Sequence, residues 1–461
     1  MTIEKYARRA KNDLIPQSGR YEIFNLEMNP FPSSPFVNPE STDARNNGKI
    51  YETSIREQEY RAIEENFLKV PQSDSNHLRL GYIMDTSYIG RGNGKTAFLT
   101  NLQRKINKDF GFSISDETNK CFAITVVPEP SGKTKTFENF VDLCANKIFD
   151  SNIIEDCLVS LRLIAISDLY DDFNAAEHFP DEETIKNKLQ SLDWYKENNI
   201  DYRSVTQQIL SSVYLQALPQ DFPLYYSNSL VFSVIKQDDF IEYYKNLKRG
   251  TPRIEFIFSH LVNFFLAAGF NGAYVFVDDF ERIPDFQSER QKRDFAVELR
   301  TCLFDGLSTN AKVGFYNFII VLHAGVPPMI QSAWEQAGLE HRSPIFFKGT
   351  PKNVIRFEKI RVEDAHSLIQ KYLQYYRVSD VSADNFFPFT KEAIGKLAEL
   401  NDFNASKILK MAYEVLERAV EQNAQKIDIE FIQSIDEAQL AEQPGASGIS
   451  EANTKDLMKE A

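Results

Sequence analysis

The sequence predicts an α/β protein: a parallel sheet with helices on both faces, a helical insertion, and a C-terminal helical unit. Three observations predict it. Short apolar segments bounded by turns alternate with stretches of helical period, the pattern of a parallel sheet under helical cover. One such segment runs into a loop with three glycines in five residues, and a helix follows the loop. From about residue 361 the strand signals stop and only helical periods remain.

Taken in order, residues 1–50 read as an irregular leader, crowded with Pro, Asn and Ser in MNPFPSSPFVNPESTDARNNGK. A helix is expected in SIREQEYRAIEENFLKV, with Ser54 as cap and Glu57 three residues later. HLRLGYIMDTSYIG reads as the strand entering the glycine loop, and TAFLTNLQRKINKDFG as the helix leaving it, ended by Gly111. A second strand, CFAITVVPEP, precedes the helix TFENFVDLCANKIF. Residues of about 150–250 are acidic, rich in Tyr and Phe, and helical in period; they form the expected insertion. RIEFIFSHLVNFFLAAGF reads as a buried helix, and GAYVFVDDF and NFIIVLHAG as buried strands. The expected domains are thus a central α/β domain over 51–360, a helical domain over 361–436, and a disordered tail over 437–461.

Composition narrows the function. At 43% hydrophobic and 26% charged, the 461-residue chain has the make-up of a globular protein with two or three cores. Its richest apolar run, FIFSHLVNFFLAAGF, is broken by Ser, His and Asn, so no membrane span is expected. A net charge of −14 argues against coating nucleic acid by bulk charge, though not against a local basic stripe. Cys121, Cys144, Cys157 and Cys302 show no C-x-x-C spacing and read as buried free thiols of a reducing, cytoplasmic setting. The charged first residues, MTIEKYARRAKND, carry no apolar secretory core.

Two segments contain GKT. In IGRGNGKTA, Gly90, Gly92 and Gly94 give the backbone freedom to wrap an anion, and the helix begins at Lys95-Thr96, its N-terminus toward that anion. The usual G-x-x-x-x-G-K-[ST] spacing would put its first glycine where this chain has Ile89. Either Gly90 takes the task in a tighter loop, or Ile89 finishes the strand. SGKTKT has one glycine, follows Pro128 and Pro130, and reads as the loop after the second strand. Downstream, Asp278 and Asp279 emerge from the apolar strand Tyr274-Val-Phe-Val at the sheet edge where nucleotides bind in open α/β folds. Asp278 fits a magnesium-associated acid and Asp279 a residue that polarises water.

Together these features resemble the P-loop ATPases of the AAA+ and STAND type, in the additional-strand branch of the P-loop NTPases. YVFVDDFERI is similar to the hydrophobic-DD-L-D-R signature of KAP and related STAND ATPases. REQEYRAIEENFL resembles the R-E-x-E helix that opens origin-recognition-type and transposition-regulator ATPases. FPFTKEAIGKLAELNDFNASKILKMAYEVLERA resembles their helical lid, where the usual pattern runs G-N-P-R before the long helix. The resemblance implies a P-loop NTPase sheet holding ATP and Mg²⁺. The nucleotide would lie on Gly90, Gly92, Asn93, Gly94, Lys95, Thr96 and Ala97, with Lys95 at the β- and γ-phosphates. Thr96 would ligate the magnesium, Asp278 would hold it through water, and Asp279 stands where most AAA+ members have Glu.

His323 falls in the sensor-1 place, where Asn or Thr is commoner; a satisfied structural group is the alternative. Arg342 falls in the place of a trans-acting arginine finger, with an ordinary surface arginine as the alternative. The lid departs from the family, since the sensor-2 position offers Ser406 and Lys407, of which Lys407 could reach the γ-phosphate. The resemblance further implies a cytoplasmic homo-oligomer that turns over ATP and works on DNA or on a partner protein or effector. Phage defence, transposition and replication control are the settings of such ATPases. A slow or non-hydrolysing switch that recruits an effector is the second reading.

Overall fold

The structure is a computed structural model describing residues 19–69, 78–85, 92–114, 119–225, 237–306, 314–345, 349, 351–379 and 385–442, with side chains through 435. The first 18 residues of the expected leader, Ile89 and Gly90 of the glycine loop, and the expected tail from 443 lie outside the described residues. The chain divides into two compact units, one of residues 56–91 and 98–358, the other of residues 1–55, 92–97 and 359–461.

The larger unit is built on a five-stranded sheet of β1 (Leu80–Asp85), β2 (Cys121–Val126), β3 (Gly272–Val277), β4 (Tyr316–Leu322) and β5 (Val354–Phe357). The order is β2-β3-β4-β1-β5, and every pairing is parallel. β4 therefore stands between β1 and β3, the added central strand that the resemblance implies. β3 and β4 are buried at every residue, which is why both read as unbroken apolar runs.

Both faces of the sheet are covered. Helix α1 (Glu57–Ile63) follows a 3-10 turn over Thr53–Arg56, and the Ser54 hydroxyl and N–H both bond to Glu52, so Ser54 closes that turn instead of capping the helix. Beyond α1, Phe67 accepts a hydrogen bond from the Tyr274 hydroxyl of β3. Helix α2 (Lys95–Lys108) lies on this same face. Its Asn107 side chain bonds both the N–H and the carbonyl of Ala123, occupying the outer edge of β2. The opposite face, with Phe122, Ile124, Val126, Val275, Val277, Phe318 and Ile320, joins one large apolar core. That core also takes in helices α3 (Phe137–Asp150) and α4 (Ile153–Leu169) and the helix over residues 251–267.

The described residues of the expected insertion hold helices and no strand, with short helices at Ala175–His178, Glu182–Lys188, Leu192–Glu197, Tyr202–Leu210 and Val213–Gln216. Its aromatics Trp194, Tyr195, Phe222 and Phe240 are buried in the large core. After β3 come α5 (Glu289–Arg300), opened by a Ser288–Gln291 capping box, and α6 (Val326–Ala337) after β4. All four cysteines are free and buried, and burial pushes the thiols of Cys121 and Cys302 up to about 12. They are packing groups and not nucleophiles.

Among its described residues the smaller unit holds the α-helices α7 (Val362–Tyr375), α8 (Lys391–Leu400), α9 (Ala405–Glu421) and α10 (Ile429–Glu442). Their apolar stripes form a second core. Leader residues Phe24, Leu26, Phe31 and Ile50 are buried in it, although the described part of the leader has almost no regular structure. Leu26 forms an antiparallel bridge with Arg377, and Tyr21 and Asn29 bond Glu417 of α9.

Candidate functional site

In the larger unit, three adjacent strands end in polar groups. β1 ends at Asp85, β3 is followed by Asp278 and Asp279, and β4 by His323. Because β4 lies between β3 and β1, the strand order brings these groups to one edge. His323 Nδ1 lies 3.2 Å from Asp85 Oδ2, and its Nε2 lies 3.2 Å from Glu281 Oε1. The Asp85 carboxylate is fully buried and that of Glu281 nearly so. The Nδ1 contact is a hydrogen bond, and the imidazole stands between two carboxylates. Asp85 and Glu281 were not singled out in the sequence.

Asp278 is buried, and its Oδ1 accepts the N–H of Asp279 at 3.0 Å. Asp279 has a left-handed backbone (φ 49°), which starts the 3-10 turn Phe280–Arg282 and sends its carboxylate to the Arg282 guanidinium. Arg282 also donates to the Pro128 carbonyl at 3.2 Å. Asp279, Glu281 and His323 each offer one ligand atom, and these atoms lie within 4.8 Å of one another.

Arg342 ends the short helix Leu339–Arg342 and is exposed. The next residue, Ser343, donates to the carbonyl of Leu80, the first residue of β1. Burial lowers the pKa of Arg79, and the charge of Arg342 adds to the lowering. Arg342 thus sits by the amino end of the sheet. Six-residue β1 spans roughly 17 Å at ~3.3 Å per residue, so this arginine does not join the carboxylates of its own chain.

In the smaller unit lies the tip of the glycine loop. Gly92 and Gly94 have φ of 97° and 82°, values that L side chains rarely adopt, so both positions require glycine. Asn93 and Lys95 are buried, Thr96 and Ala97 are half-buried, and α2 begins at Lys95. The first-turn N–H groups of such a helix have no intrahelical acceptor and are the usual partners of a phosphate. The Gly92 carbonyl accepts the N–H of Ser406 at 3.1 Å. Asn404 caps α9, accepting the Lys407 N–H at 3.1 Å. The Lys407 side chain is exposed, and after the hydrogen bond from Lys359 its charge helps hold the Asp402 carboxyl below its usual range.

The second GKT is built otherwise. Ser131 and Gly132 are both left-handed, the Thr134 hydroxyl accepts the Glu129 N–H, and Lys133 pairs with Glu129 at 3.0 Å. The next helix starts only at Phe137, capped by Thr136.

No family model matches this sequence, and no curated protein matches it. Among solved structures, the chain is similar to the Aeropyrum pernix ORC1 protein, solved in complex with DNA, at 9% identity and a TM-score of 0.36. That match covers 82% of this chain and 64% of the other, so the chain spans less than two thirds of that protein. It is also similar to the Aeropyrum pernix ORC2 protein, solved as ADPNP–ADP complexes, at 8% identity and a TM-score of 0.38, covering 86% of this chain and 68% of the other. Among the described residues, no helix is long and apolar enough to cross a membrane.

Proposed function

We propose that this chain is an AAA+/STAND-like ATPase that binds Mg²⁺-ATP and turns it over in a homo-oligomer to regulate or remodel a partner. The observation that carries the reading is the left-handed Gly92 and Gly94 leading directly into α2 at a buried Lys95. It is supported by a parallel sheet whose third strand delivers Asp278 and Asp279 at its carboxyl end. The first-turn amides and Lys95 would hold the phosphates, with the loop from Gly90 to Ala97 wrapped around them.

The donors fit a hard cation: Thr96 and Asp278 offer oxygen, as magnesium requires. Magnesium would supply charge neutralisation at the phosphate oxygens. Asp279 would orient or deprotonate water. His323, tied to Asp85 and Glu281, would report the state of the γ-phosphate to the core of the sheet. Arg342, exposed and remote from its own chain's carboxylates, suits a neighbour's site; such an arginine adds on the order of 10³–10⁵ in rate. Lys407 would reach the γ-phosphate from the lid.

A slow switch that recruits an effector is the second reading. The pairing of Asp279 with Arg282 favours it, because a carboxylate held by a guanidinium is less free to turn toward a water. The acidic charge favours a protein partner over DNA, and a cytoplasmic setting such as phage defence accords with the resemblance. ATP turnover measured over a range of protein concentrations, with and without DNA, tests the proposal. Turnover per chain should rise steeply with concentration as subunits share sites. Flat, background-level turnover with ATP bound would select the switch. Absence of ATP binding would sink both.

A further inference from the structure

The sequence reading left Ser406 without a task, in the place where a lid arginine was expected. The structure gives it three connections within the smaller unit. Its N–H donates to the Gly92 carbonyl of the glycine loop at 3.1 Å. Its hydroxyl donates to the Pro35 carbonyl of the leader at 3.0 Å. Its backbone forms the first turn of α9, behind the Asn404 cap.

The packing is as close as the hydrogen bonds. A Cβ added at Gly92 would stand 2.5 Å from Asn404 Oδ1 and 2.8 Å from Ser406 Cβ. Asn404 itself is buried, with its Oδ1 taking the Lys407 N–H. The first-turn amides of α9 are thereby turned on the protein's own loop: Ser406 N–H on Gly92 and Lys407 N–H on the cap. The loop carbonyl faces the positive end of a 17-residue helix.

We infer that Ser406 and Asn404 are positioning residues that hold the glycine loop from Gly92 to Ala97 in its phosphate-binding shape by backbone contact, so that nucleotide affinity depends on how α9 is seated. The inference rests on the nucleotide reading of the loop. The lid acts on the nucleotide through the loop's main chain, and a cationic side chain at position 406 is not needed for that. The leader enters the same junction through Pro35.

Two substitutions together isolate the contact, since Ser406→Pro loses the hydroxyl as well as the N–H. Ser406→Pro removes the one N–H that bonds Gly92, at a position in the first helical turn where no intrahelical bond is lost. The fold already tolerates this, since α6 carries Pro327 and Pro328 in its own first turn. Ser406→Ala keeps the N–H and removes only the hydroxyl bond to Pro35. Titration of the full chain with a fluorescent ATP analogue should show Ser406→Pro binding roughly 3–10-fold more weakly, the span of one net hydrogen bond. Ser406→Ala should bind within about 2-fold of the parent, and the melting temperature of the nucleotide-free protein should fall by no more than about 4 °C in either.

Lys95→Ala separates the two levels of the argument. If it abolishes binding while Ser406→Pro binds like the parent, the positioning role is wrong and the nucleotide site stands. If Lys95→Ala binds normally, the nucleotide reading itself is wrong. Hydrogen exchange on the unaltered protein gives a second measurement that does not depend on any variant folding. Saturating Mg²⁺-ATP should slow exchange at the Ser406 amide, and unchanged exchange under demonstrated binding overturns the inference.

Discussion

Gly94-Lys95-Thr96 opens a helix at its lysine, whereas Gly132-Lys133-Thr134 is finished off as a turn before a helix capped by Thr136. In the first, Lys95 is buried and its backbone follows two left-handed glycines. In the second, the Lys133 side chain is 73% exposed and lies on Glu129 in a surface ion pair. What decides between them is the main chain around the tripeptide. A phosphate is held by amides that converge, and convergence needs the strand before the loop and the helix after it.

The second loop nevertheless has a use. Gly132 packs on Phe286, Gln287 donates to the Lys135 carbonyl, and Arg282 reaches from Asp279 to the Pro128 carbonyl. It is a cradle for the turns that follow β3, and through Arg282 it touches the proposed water-polarising acid. In the proposed reading one GKT binds phosphate, and the other holds a neighbour of the water-polarising group.

The sharpest way to break this contrast is Lys95→Ala. Loss of the buried cation proposed to meet the phosphates should remove measurable ATP binding and lower turnover by 10²-fold or more, on the order of what single electrostatic catalytic groups supply. Equilibrium binding with a labelled nucleotide checks it. Asp279→Asn comes next. It keeps the shape of the side chain and removes the base, so turnover should fall roughly 10²-fold while ATP stays bound, measurable as retained nucleotide after gel filtration.

The cradle is tested by Gly132→Ala. At φ 74° a Cβ is strained, and it would stand 2.9 Å from the Phe286 Cβ. The expected result is a loss of about 1–3 kcal/mol of stability by denaturant unfolding, with turnover reduced a few-fold and ATP affinity kept. Lowered affinity equal to that of the Lys95 variant would show that the second loop binds phosphate after all.

The sequence made part of this legible. β1, the loop and α2 could be read because strand, glycines and helix are local and adjoin one another. β3 and β4 were legible because they are buried on both faces and leave unbroken apolar runs. β5 was missed: Val354–Phe357 is four residues long, and Arg356 in its middle is exposed. Asp85 and Glu281 were missed for a different reason. Asp85 ends a core strand just as His323 follows one, but only the long-range pairing of β1 with β4 brings the two within 3.2 Å. The leader's place in the second core was also hidden. Phe24, Phe31 and Ile50 follow no period, and their burial comes from tertiary contact, as of Phe24 with Phe387 and of Phe31 with Tyr372 and Phe389.

The smallest expected effect is the one that keeps the two loops apart. Lys133→Ala removes a cation from a GKT, as Lys95→Ala does, so a sequence motif alone would treat the two alike. Here the cation meets only Glu129 across an exposed surface, where an ion pair contributes ~0–1 kcal/mol and salt screens most of that. The backbone of Ser131 and Gly132 is set by Thr134 and Phe286, and neither contact involves the lysine side chain. ATP affinity and turnover should therefore stay within about 2-fold of the parent, and the melting temperature should fall by no more than about 2 °C. A Lys133 variant that loses nucleotide would mean that the exposed ammonium, and not the buried one at Lys95, meets the phosphates.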